Sequence, residues 1–120
     1  MSLFSSRSKK RLEQCDPKLQ FIANELIKIM DVSVLCGFRG EEEQNEAYNN
    51  KRSKLKFPQS KHNKRPSLAI DFAPYPIDWE NINKFERMCG IIEGIAHANN
   101  IKIRLGRDFS FKDYPHIELI

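Results

Sequence analysis

A few histidines and carboxylates are the side chains of this sequence best suited to hold a metal ion or move a proton. His62 lies nine residues before Asp71, and His116 lies three residues after Asp113, close to the end of the printed chain. Two histidines and one carboxylate form a ligand set typical of catalytic zinc, which keeps a fourth position open. The sequence therefore suggests a metal site built by His62, Asp71 and His116.

Two carboxylates near His116 are candidates to support such a site. Asp113 precedes His116 across a proline-containing turn, where it could act as a general base without being a ligand. On a strand, His116 and Glu118 point to the same side, so Glu118 could hydrogen-bond the histidine; an exposed strand acid is the alternative. His97, in the helical sequence GIAHANN, is interpreted as a surface or groove residue.

The elements that would position these residues follow the order α-β-α-β-α-β-β. Residues 1–14 are predicted to be a polar, flexible lead-in. Asp16 and Pro17 are typical of a helix start, an N-cap acid followed by proline. Further helices are predicted over 41–50 and about 79–99, and strands over 32–37, 67–74, 101–106 and 116–120. Short strands interrupted by helices favour a single small α+β domain over residues 1–120.

Side-chain alternation on the predicted strand 67–74 places one carboxylate among small residues. Ile70 and Phe72 share one face, whereas Ala69, Asp71 and Ala73 share the other. A loop that folds back over this strand could bring His62 to the second face.

Composition narrows the class of protein. The chain has 120 residues, 40% of them hydrophobic and 30% charged, with a net charge of +4. No apolar run approaches the roughly 18 residues of a membrane helix, so no membrane insertion is predicted. The basic N-terminus lacks the apolar segment of a secretory signal peptide. The three cysteines are predicted to be reduced, with Cys36 and Cys89 in the core.

A basic segment over residues 51–65 holds seven Lys or Arg residues and no acid. Such a run can attract polyanions, either nucleic acid or the phosphates of a bacterial envelope, although a solvated loop is the alternative. Phe57 is its single aromatic residue, which is little for a nucleic-acid stacking surface. A nucleic-acid binder would also leave the histidines and acids without a role, so no specific nucleic acid is expected.

Three segments resemble the zinc peptidases that cleave D-alanyl-D-alanine or L-alanyl-D-glutamate bonds, and they occur in that family's order. SKHNKRPSLAIDFAPYPIDW (60–79) is similar to the family's His…Ala-x-Asp segment. KDYPHIEL (112–119) is similar to its closing Asp-x-x-His-x-Glu-Leu segment, and CGFRGEEEQNEAY (36–48) to its Gly-Tyr-Arg turn and following helix. The resemblance extends from about residue 17 to the C-terminus and is greatest to short phage endolysins.

The resemblance implies a role for each candidate residue. The implied ligands of one zinc ion per chain are His62, Asp71 and His116. Asp113 matches the catalytic acid, Arg39 the arginine that steadies substrate oxygen, and Ser60 a serine that can hydrogen-bond substrate. The implied fold is a small antiparallel sheet flanked by helices, as in the hedgehog/DD-peptidase group. The chain departs from the family at Leu105-Gly106-Arg107, where Trp-Gly-Gly is frequent.

The implied function is hydrolysis of peptidoglycan stem peptides at the L-alanyl–D-glutamate bond. An endolysin of this kind is expected to be a monomer made in the host cytoplasm. It would reach the periplasm or cell wall through a holin-type pore. Two alternatives stay open: a D-alanyl-D-alanine carboxypeptidase of the same family, and a non-catalytic zinc-binding module on the same fold.

Overall fold

Four α-helices and a four-stranded antiparallel sheet make up the part of the chain that the computed structural model describes, residues 2–120. The strands of the sheet are β1 (Val32–Cys36), β2 (Ala69–Pro74), β3 (Ile103–Leu105) and β4 (His116–Leu119). They lie in the order β1-β2-β4-β3 across the sheet. The helices are α1 (Ser6–Leu12), α2 (Pro17–Leu26), α3 (Glu41–Asn49) and α4 (Ile82–Ala98). The predicted α+β class is confirmed.

Local capping explains where the longer helices begin. The side chain of Asp16 accepts the amide of Lys18 at 2.9 Å, and Pro17 opens α2 as predicted. Helix α4 begins at Ile82, a few residues later than predicted, because Asn81 is its cap and accepts the amide of Lys84. Among the described residues, no helix is both long and apolar enough to cross a bilayer.

The N-terminal segment differs from the predicted flexible lead-in, because residues 6–12 form α1 and pack on β1. Ser8 is buried and its hydroxyl accepts the amide of Val34 at 3.0 Å. Arg11 donates from Nη1 to the carbonyl of Val34 at 3.0 Å, and Leu12 joins the core. These contacts satisfy backbone groups on the outer edge of β1, which a polar composition alone did not reveal.

One face of the sheet belongs to the core and the other to a polar cluster. Ile70, Phe72 and Ile117 join Phe85 and Ile92 of α4 in one apolar cluster. Because side chains alternate along a strand, Asp71 and His116 must point to the opposite face. The sheet therefore separates the apolar core from the candidate site.

Candidate active site

Strand pairing brings two of the three candidate metal ligands, Asp71 and His116, together. On the pair β2–β4, Asp71 lies directly opposite His116, and Ala69 lies opposite Glu118. Opposed residues on antiparallel strands present their side chains to the same face. The sheet register thus places Asp71 and His116, 45 positions apart in the sequence, within reach of one ion.

The three predicted metal ligands form a nearly equilateral triangle of donor atoms. His62 Nε2 lies 3.2 Å from Asp71 Oδ1 and 3.3 Å from His116 Nδ1. His116 Nδ1 lies 3.3 Å from Asp71 Oδ1. Three ligands of a tetrahedral zinc with bonds of about 2.0 Å are separated by roughly 3.3 Å. The donor set therefore fits a metal ion in both chemistry and spacing.

His62 is held by the loop that precedes β2. Ser60 caps a 3₁₀ turn at Lys61–Asn63, and its hydroxyl accepts the amide of His62 at 3.1 Å. The imidazole is 2% exposed, and its Nδ1 lies 2.8 Å from the carbonyl of Gly37. Since a carbonyl only accepts, Nδ1 carries a proton and Nε2 is the ring nitrogen that faces the triangle.

His116 is oriented in the same manner by a carboxylate. Its Nε2 lies 2.8 Å from Oε1 of Glu118, so Nε2 donates and Nδ1 is the ring nitrogen that faces the triangle. Gly106 packs behind this residue. A Cβ at Gly106 would lie 2.1 Å from the carbonyl oxygen of Asp113 and 2.9 Å from Cβ of His116, so the backbone requires glycine here.

The triangle is a site that attracts positive charge. Burial disfavours the charged form of His62, yet the Asp71 carboxylate raises its pKa to about 10. Burial also opposes charge on His116, but hydrogen bonds with Asp71 and Glu118 raise its pKa to about 9. Burial would raise the pKa of Asp71, but the two histidines hold it well below its usual range. Once the protons on the ring nitrogens that face the triangle are displaced, two nitrogen lone pairs and a carboxylate oxygen converge here, which is the environment that a bound cation stabilises.

Arg39 reaches the outer oxygen of the same carboxylate. Its Nη2 lies 3.8 Å from Oδ2 of Asp71, and its side chain is 19% exposed. The amide of Arg39 donates to the carbonyl of His62 at 2.8 Å, which attaches the turn at Arg39 to the loop that carries His62. The guanidinium therefore lies beside the triangle and borders solvent, as a group that contacts substrate must.

The side chain of Gln44 on α3 is fully buried and hydrogen-bonds several segments of the site. The sequence did not single it out as a site residue. Its Oε1 accepts from Arg39 Nη1 at 3.0 Å and from Asn63 Nδ2 at 3.2 Å. Its Nε2 donates to Ser53 Oγ at 2.9 Å and to the carbonyl of Leu55 at 2.6 Å. One amide thereby connects the arginine, the histidine loop and the basic segment.

Asp113 lies at the open edge of the site on a tight turn. Its carbonyl accepts the amide of His116 at 3.1 Å, and its own amide donates to Gly106 at 2.9 Å. The residue is exposed overall. Desolvation of its carboxyl group and the charge of Asp71 raise the pKa of Asp113. A solvent-exposed carboxylate whose pKa is raised and which interacts electrostatically with the three predicted metal ligands and with Arg39 is suited to exchange protons.

The basic segment 51–65 packs its own cations on aromatic rings. Lys54 lies 4.7 Å from the ring centre of Phe111, Lys56 lies 5.0 Å from that of Tyr48, and Arg65 lies 3.9 Å from that of Phe38. The Lys54 contact joins this segment to the loop that carries Asp113. The segment is thus attached to both sides of the site.

Cys36 is the clearest correction to the sequence interpretation, which placed it in the core with Cys89. Cys89 is buried, but Cys36 is partly exposed and lies opposite Asp71. The cause is an irregularity: Val34 pairs with Phe72 and Cys36 pairs with Asp71, so Leu35 is an extra residue on β1. Such a bulge turns the following side chain to the other face. Cys36, His62 and Asp71 offer donor atoms within 4.8 Å of one another.

The remaining histidine lies apart from the metal cluster. His97 is exposed near the end of α4, in agreement with its interpretation as a surface residue.

Ser60 was predicted to hydrogen-bond substrate. In the structure its hydroxyl accepts the amide of His62 within the chain.

Known proteins resemble this chain in sequence and in fold. A family model described as phage L-alanyl-D-glutamate peptidase matches residues 1–120. The L-alanyl-D-glutamate peptidase of Escherichia phage T5 is 31% identical over 121 residues, covering 97% of this chain and 88% of that protein. The crystal structure of the Serratia marcescens L-Ala D-Glu endopeptidase ChiX superposes with a TM-score of 0.84 at 22% identity, covering 98% of this chain and 90% of that one.

Proposed function

Because this chain belongs to the phage L-alanyl-D-glutamate peptidase family, we propose that it hydrolyses the L-alanyl–D-glutamate bond of peptidoglycan stem peptides as a phage endolysin. The single observation that carries the proposal is the triangle of His62 Nε2, Asp71 Oδ1 and His116 Nδ1, with edges of 3.2–3.3 Å. A preorganised three-donor set beside an exposed carboxylate has the composition of a hydrolytic metal site.

The proposed metal is one zinc ion held by His62, Asp71 and His116. Imidazole nitrogen and carboxylate oxygen in a four-coordinate arrangement favour zinc among the common divalent ions. Zinc, when bound, supplies the Lewis acidity that activates water and polarises the scissile carbonyl.

Asp113 is the proposed general base and acid. Its carboxylate takes a proton from water as the water oxygen attacks the carbonyl carbon of L-alanine. The same group then returns that proton to the amine of D-glutamate as the carbon–nitrogen bond breaks. The exposed position of Asp113 at the edge of the site allows both transfers.

Arg39 is proposed to stabilise the oxyanion that develops on the attacked carbonyl. Its guanidinium is held by Gln44 at Nη1 and stands beside Asp71 at Nη2, with part of its surface facing solvent. A donor fixed before substrate arrives does not have to reorganise during the reaction. Ser60 positions His62 through its amide, and its hydroxyl is a proposed hydrogen-bond partner of the substrate.

The proposed setting follows from the endolysin role. The enzyme acts as a single catalytic domain and a monomer, made in the host cytoplasm and passed to the periplasm or cell wall by a holin-type pore. The basic segment 51–65 provides loose attraction to envelope phosphates and not to a specific nucleic acid.

Metal analysis and a lysis assay test the proposal together. The purified protein should carry one zinc per chain and should clear a suspension of permeabilised Gram-negative cells. Chelation should abolish clearing, and added zinc should restore it. Zinc binding without clearing would favour the non-catalytic module, whereas neither zinc nor clearing would reject the metallopeptidase. Lys9→Ala, a change at an exposed residue of α1, is a control that should behave as the native chain.

A further inference from the structure

The thiol of Cys36 lies on the metal side of the sheet. Cys36 and Asp71 are paired across β1 and β2, so their side chains share a face. The sulfur, a ring nitrogen of His62 and an oxygen of Asp71 lie within 4.8 Å of one another. The irregularity at Leu35 produces this placement, because regular alternation from Val34 would direct Cys36 into the core.

The environment of Cys36 distinguishes it from the other two thiols. Burial raises the pKa of Cys15 to about 12 and that of Cys89 to about 11, and both side chains are enclosed by apolar residues. Cys36 is only partly buried, and its sulfur donates a long hydrogen bond of 3.7 Å to the carbonyl of Gly37. Cys36 is thus the thiol whose surroundings leave it available to a metal.

His62 provides the second observation that points to a ligand. Its side chain is 2% exposed, and its Nδ1 is occupied by the carbonyl of Gly37, the residue after Cys36. Its Nε2 lies 3.2 Å from an oxygen of Asp71 and 3.3 Å from Nδ1 of His116. A cation that displaces the protons of these ring nitrogens is held at this point, and the sulfur of Cys36 lies within 4.8 Å of a ring nitrogen of His62 and of an oxygen of Asp71.

We propose that Cys36 is a fourth protein donor to the metal and can convert the open three-ligand site into a closed four-ligand site. The inference rests on the proposed metal set of His62, Asp71 and His116. Thiolate is a strong ligand for zinc and for softer ions, and coordination releases the thiol proton to solvent.

The spacing assigns Cys36 a conditional role. In one tetrahedral site a thiolate sulfur lies roughly 3.5 Å from a nitrogen or oxygen ligand. The sulfur of Cys36 lies within 4.8 Å of the donor atoms of His62 and Asp71, so it binds once the end of β1 moves it to this shorter distance. The irregular end of β1 is the place where such a shift disturbs the fewest ladder bonds. The three-donor triangle is formed already, so the open state is the starting state and thiolate binding occupies the position that catalysis needs.

Cobalt substitution tests this directly, because a thiolate bound to Co²⁺ gives a near-ultraviolet charge-transfer band that nitrogen and oxygen ligands do not give. The metal-free full chain is loaded with one equivalent of Co²⁺, and its spectrum is compared with those of Cys36→Ser and Cys89→Ala. The band should appear in the native chain, persist in Cys89→Ala and vanish in Cys36→Ser, with cobalt stoichiometry unchanged in all three. The affinity for Cd²⁺ relative to Zn²⁺ should fall in Cys36→Ser.

The outcomes separate this inference from the proposed function. Cobalt bound at one per chain without a thiolate band, or with a band that survives in Cys36→Ser, would overturn the role of Cys36 and leave the three-ligand site standing. Failure of the native chain to bind cobalt would overturn the metal site and this inference with it. If Cys89→Ala does not fold, Cys89→Ser replaces it as the control variant. The circular dichroism spectrum of Cys36→Ser shows whether the test variant keeps its structure.

Discussion

Glu118 and His116 form a 2.8 Å hydrogen bond that sets the direction in which Nδ1 of His116 faces His62 and Asp71. The other oxygen of Glu118 lies 3.6 Å from Lys61 Nζ and 3.8 Å from Arg104 Nη1, so the carboxylate is held on both sides. Burial would raise the pKa of Glu118, but the bond to His116 lowers it and keeps the carboxylate charged. The imidazole is therefore fixed before a metal arrives.

Loss of this carboxylate should weaken metal binding without unfolding the chain. Glu118→Ala is expected to lower zinc affinity by about 10- to 100-fold, the usual cost of losing a group that orients a ligand histidine. Competition with a chromogenic chelator measures it. Glu93→Ala removes a more exposed acid and should bind zinc as the native chain does. Equal affinities of Glu118→Ala and the native chain would contradict the orienting role.

Loss of the hydrogen bonds made by the Gln44 side chain should slow catalysis more than it weakens substrate binding. Gln44→Met keeps the side-chain length but leaves Arg39, Asn63 and Ser53 without this partner, at a cost of about 1–3 kcal/mol in unfolding free energy. Because Arg39 is proposed to act on the transition state, kcat should fall while KM changes little. The metal content should stay at one per chain. Glu43→Gln, an exposed neighbour on α3, is the matched control; a kcat equal to native in Gln44→Met would contradict the argument.

Asp113 should govern the acid limb of the pH–rate profile. A general base works when deprotonated, so activity is lost as pH falls through its pKa. In the metal-free chain desolvation and the charge of Asp71 raise the pKa of Asp113, and a bound cation opposes that shift, so the limb is assigned by its loss in a variant and not by its position. Asp113→Asn should keep its zinc, lose about two to four orders of magnitude in rate and lose this limb. Loss of zinc in Asp113→Asn would instead make Asp113 a ligand.

Metal binding should release protons at neutral pH. In the metal-free chain the pKa values of His62 and His116 are raised to about 10 and about 9, so a metal must displace protons there. Zinc affinity should increase with pH until those values are passed. Calorimetry in two buffers with different ionisation heats counts the protons; identical heats would contradict the prediction.

The same shifts fix how the stability of the metal-free chain depends on pH. A histidine with a raised pKa stabilises the fold fully below its unfolded value of about 6.5, and this contribution disappears as pH rises through about 9–10. The melting temperature of the metal-free chain should therefore decline as the pH rises from about 6.5 to about 10. The zinc-loaded chain, whose histidines carry no titrating proton, should decline less.

Local sequence patterns predicted most of the secondary structure, because the strands and helices here obey periodicity and capping. The proposed ligands could be named because histidines are few and one carboxylate stands among small residues. His62 and His116 are two of the three histidines, and Asp71 shares a predicted strand face with alanines. Asp113 was a candidate from its position three residues before His116. Arg39 and Ser60 came from resemblance, since nothing in their spacing distinguishes them from surface residues.

The features that the sequence did not reveal depend on tertiary contacts. Gln44 occupies an ordinary polar position of a helix, and its burial depends on residues outside that helix, Arg39, Asn63 and the returning segment at Ser53–Leu55. Cys36 changes face through one extra residue in β1, and no side-chain pattern marks that irregularity. Helix α1 is short and basic, and it is stabilised by β1 and not by its own composition.

The identity of the cleaved bond tests the central claim most directly. Purified peptidoglycan is digested with the zinc-loaded chain, and the products are examined by mass spectrometry after labelling of new amino termini. The account predicts new N-terminal D-glutamate, present with zinc and absent after chelation or in His116→Ala. Release of free D-alanine without N-terminal D-glutamate would contradict it and would identify a carboxypeptidase.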